Sequence, residues 1–187
     1  QVTRRFPACE KYDVVQALEV LTLPLDVAAD RYGFADACFL KLDTQGTELD
    51  ILQSGERLLS SILATRVETS FYAFYRGQPL FADVDAYLRG HGFSLLSLQR
   101  TNLRHAGYRA DVYSRRVTAW AHCLYVRDVL QLTRTSFVRR LGLALAFKYF
   151  DLAATLTDRA LRERAIDDTE AAALRLDVER CATFATR

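Results

Sequence analysis

Residues Phe39-Leu40-Lys41-Leu42-Asp43-Thr44-Gln45-Gly46-Thr47-Glu48-Leu49-Asp50-Ile51-Leu52 decide how this chain is read. An apolar run ends in an acid, turns at a glycine and continues as an amphipathic segment. Ile51, Leu52, Leu58, Leu59 and Ile62 mark one face of a helix predicted over 47–60. A strand, a turn and a helix in that order form the repeating unit of layered α/β folds. In open α/β sheets ligands sit beyond the carboxyl ends of the strands, which is where Asp43 falls.

Outward from this unit, short apolar or β-branched runs predict strands at Leu18–Leu23, Cys38–Leu42, Thr65–Thr69, Phe93–Leu98 and Trp120–Val126. Helices are predicted over Asp26–Tyr32, stopping at Gly33, and over Pro79–Arg89, which opens with proline and ends at Gly90. Alternating strands and helices argue an α/β fold with a mostly parallel sheet. Residues 99–119 show no convincing helical pattern, so the last two strands are expected to be antiparallel. Beyond Arg127 the pattern becomes helical over 135–148, 149–165 and 168–184. The chain is therefore expected to divide into an α/β part, 1–126, and a carboxyl-terminal α-helical extension, 127–187.

Composition narrows the function. Of 187 residues, 50% are hydrophobic and 26% charged, and the net charge is +2. These values exclude disorder and argue against a nucleic-acid or membrane-surface protein. The longest apolar run, Leu141–Phe147, is too short to span a bilayer. No secretory leader is read, which predicts a cytoplasmic protein. Lys11, Lys41 and Lys148 are the lysines among 25 basic residues, a bias expected of a GC-rich, bacterial genome. Cys9, Cys38, Cys123 and Cys181 lack metal-ligand spacing, as do His91, His105 and His122, so no metal site is predicted.

Glu68, at the end of Arg66-Val67-Glu68-Thr69, is the second acid of interest. If its strand neighbours that of Asp43, the two lie about 4.8 Å apart in the sheet. They would then push their pKa values apart or hold a cation. Each also has a structural reading: Asp43 satisfied by the N–H groups of its own turn, Glu68 paired with an arginine. Tyr72, Tyr75 and Trp120 are candidate pocket walls, with Trp120 expected in the core. The stretch 100–116, with Arg100, Arg104, Arg109, Arg115, Arg116, Tyr108 and Tyr113, is expected to be a solvated or substrate-covering loop.

The stretch 39–55, FLKLDTQGTELDILQSG, resembles the central motif of the FkbM-type S-adenosylmethionine-dependent methyltransferases. Arg66-Val67-Glu68, Tyr75-Arg76-Gly77-Gln78-Pro79-Leu80-Phe81 and Gly90-His91-Gly92-Phe93 resemble later family segments in order and spacing. Leu21-Thr22-Leu23-Pro24-Leu25-Asp26 resembles the lead-in, so the likeness extends over about 17–126. Gln45 departs from it, since many members carry glutamate there.

The resemblance implies a partial Rossmann-like methyltransferase sheet, mostly parallel with an antiparallel last strand. It implies O-methylation of a sugar or secondary-metabolite hydroxyl, with S-adenosylmethionine as cofactor and a small-molecule hydroxyl acceptor as partner. Asp43 is expected as catalytic base or substrate orienter and Glu68 as its catalytic partner. Gln45, Glu48, Tyr75 and Gln78 are expected to bind substrate. The family's glycine loop and ribose-gripping acid would precede residue 17, and no such loop is read here. Together with a sequence of 187 residues holding no methionine, this predicts the carboxyl-terminal part of a longer enzyme, inactive alone. The competing expectation is a non-catalytic fragment whose helices at 127–187 bind a partner or form a homo-oligomer.

Overall fold

The structure, a computed structural model, describes Phe6, residues 16–105 and residues 113–185. It divides into two compact units, Gln1–Arg127 and Asp128–Arg187.

The first unit is α/β. Its elements are α1 (Leu25–Tyr32), β1 (Phe39–Leu42), α2 (Glu48–Gln53), α3 (Glu56–Leu59), β2 (Ala64–Ser70), α4 (Phe81–Gly90), β3 (Phe93–Leu103) and β4 (Val117–Arg127). The sheet order is β1-β2-β4-β3. β1 pairs in parallel with β2, from Phe39 opposite Ala64 to Leu42 opposite Val67. β4 inserts between β2 and β3 and runs antiparallel to both. Three strands thus share one direction, as a mostly parallel sheet requires, yet β1–β2 is the one hydrogen-bonded pair that is parallel.

One face of the sheet is the core. Leu42, Val67, Cys123 and Tyr125 pack there with Ala29, Leu52, Leu58, Leu59, Val84 and Leu88 from the helices. Strand residues alternate between faces, so Arg66, Glu68 and His122 lie on the other, half-buried side.

Two expectations change. The segment Leu18–Leu23 forms no strand. It is irregular, with Leu21 95% exposed. Its hydrophobic run resembles a strand locally, but a strand exists only by pairing, and the chain instead enters α1 directly at Pro24 (φ −54°). The helix predicted over 47–60 is broken into α2 and α3 at Ser54-Gly55. The break is held from α1: Leu25 N–H donates to Ser54 Oγ at 3.0 Å, and the Asp26 carboxylate accepts from Arg57 N–H at 3.1 Å and Leu58 N–H at 2.8 Å. Asp26 therefore caps α3 from outside the helix.

The stretch 100–116 is only partly a loop. Arg100 to Leu103 continue β3, and β4 starts at Val117, so both arms extend the hairpin. Arg109 and Tyr108 lie outside the described residues, as does Cys9. Cys38, Cys123 and Cys181 are free thiols.

The second unit holds α5 (Arg134–Ala146), α6 (Phe150–Arg162) and α7 (Asp168–Ala185) around its own core of Leu132, Phe137, Leu141, Leu156, Ile166 and Val178. Thr133 Oγ1 accepts Ser136 N–H at 3.2 Å and caps α5. No helix of the described residues is long and apolar enough to cross a membrane.

A side chain at Gly55 would place Cβ 2.6 Å from Leu25 Cδ2 and 3.0 Å from its Cβ. Overpacking a closed contact costs about 1–3 kcal/mol. Gly55→Ala is expected to lower stability by that amount in urea unfolding, and an unchanged midpoint would show that α1 yields instead.

Candidate functional site

The site grows from the turn between β1 and α2. Glu48, in the first turn of α2, is 5% exposed. Its carboxylate points back into the turn. Oε1 accepts Thr44 N–H at 2.7 Å and the Thr44 hydroxyl at 3.1 Å, while Oε2 accepts Gly46 N–H at 2.9 Å. Thus pinned, the turn holds Gln45 at φ 60° and Gly46 at φ 117°. The first is a left-handed conformation that costs a non-glycine residue energy. At Gly46 the positive φ disfavours any side chain, and a Cβ would also crowd Tyr75 Cδ2 at 3.2 Å and Gln78 Cγ at 3.3 Å.

This conformation aims the Gln45 amide across the sheet. Its Nε2 donates to Glu68 Oε1 at 2.8 Å and to Asp43 Oδ1 at 3.3 Å, bridging the two acids. The parallel register that sets Leu42 opposite Val67 brings Asp43 beside Glu68 at the next step. Lys41 Nζ pairs with Asp43 Oδ2 at 3.0 Å. His122 stands directly opposite Glu68 on β4, with Nε2 3.7 Å from Glu68 Oε2.

The two carboxylates are pushed in opposite directions. Burial, followed by the negative charge of Asp43, raises the Glu68 pKa above the ordinary carboxylate range. Burial also opposes ionisation of Asp43, but hydrogen bonding and charge from Lys41 outweigh it and hold this carboxyl below its usual value. Burial and then Arg66 lower the His122 pKa, which favours neutral imidazole.

Glu68 opens into a narrow cleft lined with Gln45, Ser70, Phe74, Tyr75, Gln78 and Trp120. The Phe74 and Trp120 rings meet edge to face at 5.8 Å between centroids. Two apolar rings beside a few convergent polar groups are the usual make-up of a small-molecule site.

The expected residues fare differently. Asp43, Gln45, Glu68, Tyr75 and Gln78 come together, with Asp43 one hydrogen bond behind the cleft wall. Glu48, expected to bind substrate, is buried and committed to the turn. Gln78 lines the cleft, but its Oε1 accepts Phe74 N–H at 2.8 Å and Tyr75 N–H at 3.2 Å, and its Nε2 donates to Ser70 Oγ at 3.1 Å. It shapes the loop that carries Tyr75. Trp120, expected in the core, is part of the cleft wall. Tyr72 packs on Phe6 instead. His122 was missed, since only strand register reveals that it faces Glu68.

Asp43, Glu68 and His122 each offer a donor atom within 4.8 Å of the others, the one such group of three or more among the described residues. Lys41 holds Asp43 Oδ2 and Gln45 bridges Asp43 Oδ1 and Glu68 Oε1, while Glu68 Oε2 and His122 Nε2 face each other at 3.7 Å.

Residues 3–95 match the family model described as the methyltransferase FkbM domain. This stretch belongs to the FkbM methyltransferase family. The match starts upstream of the segments at 17–126 that resemble the family and ends within β3. It holds Asp43, Gln45, Glu68 and Tyr75, while Trp120 and His122 fall outside it. A solved structure from Streptococcus pneumoniae, Sp1610, a candidate tRNA (m1A22) methyltransferase in complex with S-adenosyl-L-methionine, aligns with 94% of this chain and 73% of its own at 14% identity. Its TM-score of 0.34 is too low to bear on this chain. No curated protein matches the sequence.

S-adenosylmethionine is the cofactor of this methyltransferase family. The backbone N–H of Gly46, in the turn that leads from β1 into α2, is spent on Glu48.

Two outcomes follow from this geometry. Glu48→Ala leaves Thr44 and Gly46 N–H groups without their acceptor, and an unsatisfied, partly buried donor costs about 1–3 kcal/mol. Urea unfolding is expected to show that loss, with Glu48→Gln milder. The second concerns pH. Because the folded-state pKa of Glu68 lies above its unfolded value, the folded chain holds this proton more tightly. Ionised Glu68 therefore opposes folding above the carboxylate range and ceases to do so below it. Glu68→Gln is expected to gain stability relative to wild type as pH rises from about 4 to about 7. Equal differences at both pH values would show ordinary solvation of Glu68.

Proposed function

We propose that the cleft is the acceptor half of an S-adenosylmethionine-dependent O-methyltransferase, and that it takes a hydroxyl of a sugar or secondary metabolite. The observation that carries this reading is Glu68: a partly buried carboxylate with raised proton affinity, lining a cleft of aromatic rings. A general base works best when its pKa approaches the working pH, and burial moves Glu68 in that direction.

The roles follow from the hydrogen bonds. Gln45 occupies Glu68 Oε1 and leaves Oε2 to accept a hydroxyl proton. Neighbouring Asp43 stays ionised through Lys41, and its charge favours Glu68 gaining that proton. Asp43 thus acts on Glu68 from behind, and Glu68, which reaches the cleft, is the base. Tyr75, Phe74 and Trp120 offer flat faces against which a sugar ring can stack and exclude water. Ser70 is held by Gln78 at the floor. We further read this chain as lacking its own cofactor cradle, the glycine turn being supplied by sequence outside it.

Two measurements test this. In the enzyme that contains this segment, Glu68→Gln is expected to lower turnover by about 10²–10⁴-fold, the range for loss of a general base, with acceptor KM little changed. Wild-type turnover in the variant would remove Glu68 from catalysis. The 187-residue chain titrated with S-adenosylmethionine in a calorimeter is expected to show no micromolar binding, and such binding would place the cradle within the chain.

A further inference from the structure

Strands β2 and β4 lay two rungs across the floor of the site. Ser70 pairs with Trp120, and two residues back along β2 Glu68 pairs with His122. Residues two apart on a strand share a face, so these four side chains stand on one side of the sheet. Ser70, Trp120 and Glu68 line the cleft, and His122 stands at its Glu68 end. The His122 side chain is 26% exposed, so a ligand on this face can reach it. The row continues outward to Gln99, opposite His122 on β3, whose Oε1 accepts from Arg66 Nη2 at 3.1 Å.

The two nitrogens of His122 differ. Nδ1 is buried and has no hydrogen-bond partner among the described residues. A proton there would be a buried donor without an acceptor, which is the costly arrangement. Nε2 faces the Glu68 carboxylate, which favours an N–H at that position. The neutral ring therefore carries its proton on Nε2. A second proton would have to go on Nδ1. The charged groups around the ring are Glu68 and Arg66 on β2 and Asp43 and Lys41 on β1, while β3 contributes the uncharged Gln99. Burial and then Arg66 tip the balance toward the neutral form.

Nε2 lies 3.7 Å from Glu68 Oε2, too far for a hydrogen bond between them. One oxygen can reach both. At about 2.8 Å from each it sees them about 80–85° apart, which is compressed but within the broad range of hydrogen-bond directions. A hydroxyl there has one proton for Glu68 Oε2, one lone pair for His122 Nε2–H and a second lone pair for a methyl carbon. An amine has a single lone pair, and once His122 holds it none remains to attack. We propose that His122 positions the acceptor oxygen through Nε2–H, and that the Glu68–His122 pair thereby selects hydroxyl over amine acceptors. This deepens the acceptor reading given above and rests on it for the Glu68 end alone. In the reaction the oxygen bonds to the methyl carbon while the carbon–sulfur bond of the sulfonium breaks to leave a neutral thioether. The hydroxyl proton passes to Glu68 Oε2, so the positive charge of the sulfonium and the negative charge of the carboxylate disappear together. His122 orients the oxygen and exchanges no proton.

Nitrogen-15 NMR of the 187-residue chain reads the tautomer whatever the acceptor is, with His122 assigned by its loss in H122Q. A neutral ring protonated on Nε2 is expected at about pH 7, and an Nδ1–H ring or an imidazolium there would overturn the proposal. Kinetics in the enzyme that contains this segment test the choice of acceptor. Methyl glycosides and their amino-sugar counterparts are compared at about pH 9, where most amino groups of this kind are uncharged. Wild type is expected to favour the hydroxyl by about 10²-fold or more in kcat/KM, and H122L to lose about 10²–10³-fold on the hydroxyl acceptor, chiefly in kcat, the range for removing one oriented donor. H122L should also narrow the preference for hydroxyl, and H122Q, whose amide can donate, should recover part of the rate. Equal rates on hydroxyl and amine in wild type, or wild-type kcat in H122L, would overturn the proposal. So would a loss that H122Q does not relieve, which would make His122 a structural residue. Lost turnover in Glu68→Gln with full turnover in H122L keeps the base and overturns the role of His122, whereas the reverse pattern supports His122 and removes Glu68.

Discussion

The arrangement of this site depends on one buried carboxylate. Glu48 accepts three hydrogen bonds from the turn that precedes its own helix, and so fixes a backbone path that Gln45 would not adopt alone. Without that clamp, nothing holds Gln45 in a left-handed conformation, and its amide has no reason to reach across to Glu68. The charge balance of Asp43, Glu68, Lys41 and His122 is then a consequence of where one turn is held. An acid in the first turn of a helix usually stabilises the helix end. Here the same residue stabilises the loop in front of it, and the helix serves as a rigid mount.

The bridging amide has its own logic. Asp43 and Glu68 are neighbours across a parallel pair, and like charges so close in a half-buried place oppose each other. Gln45 donates to both without adding charge, so each acid keeps a partner while one of them gains proton affinity. A glutamate at 45, as in many relatives resembling this motif, would be a third carboxylate at the same point. The departure at this position therefore changes how the pair shares its protons, not only which side chain lines the cleft.

How much of this was legible in the sequence depends on how local each feature is. Asp43 and Glu68 could be placed together because each follows an apolar strand run, and neighbouring strands with the same polarity align their ends. The break at Ser54-Gly55 was hidden because its cause lies in Leu25 and Asp26, about 30 residues away, and the hydrophobic spacing across it still reads as one helix. Leu18–Leu23 read as a strand for the opposite reason: its composition is right, but pairing is a property of two segments. Arg100 to Leu103 looked like loop because polar residues on strands that project past the sheet have no core to face. His122 and Trp120 required the register between β2 and β4, which no local pattern encodes. Glu48 was visible as a helix-start acid, yet the direction of its carboxylate could not be read from its position.

The insertion of β4 between β2 and β3 also has a meaning in time. As the chain emerges from a ribosome, β1 and β2 are complete by Ser70, but the edge of β2 that bears Glu68 has to wait for β4, which ends at Arg127. β3 is made first and cannot take the vacancy, because its own place is one strand further out. The hairpin of β3 and β4 can form locally, and it then has to dock as a unit. Until it does, Glu68 faces water without His122 beside it and without the wall that Trp120 provides. The cleft is thus among the last parts of this unit to be assembled, and a nascent chain that carries the whole family motif does not yet carry the site.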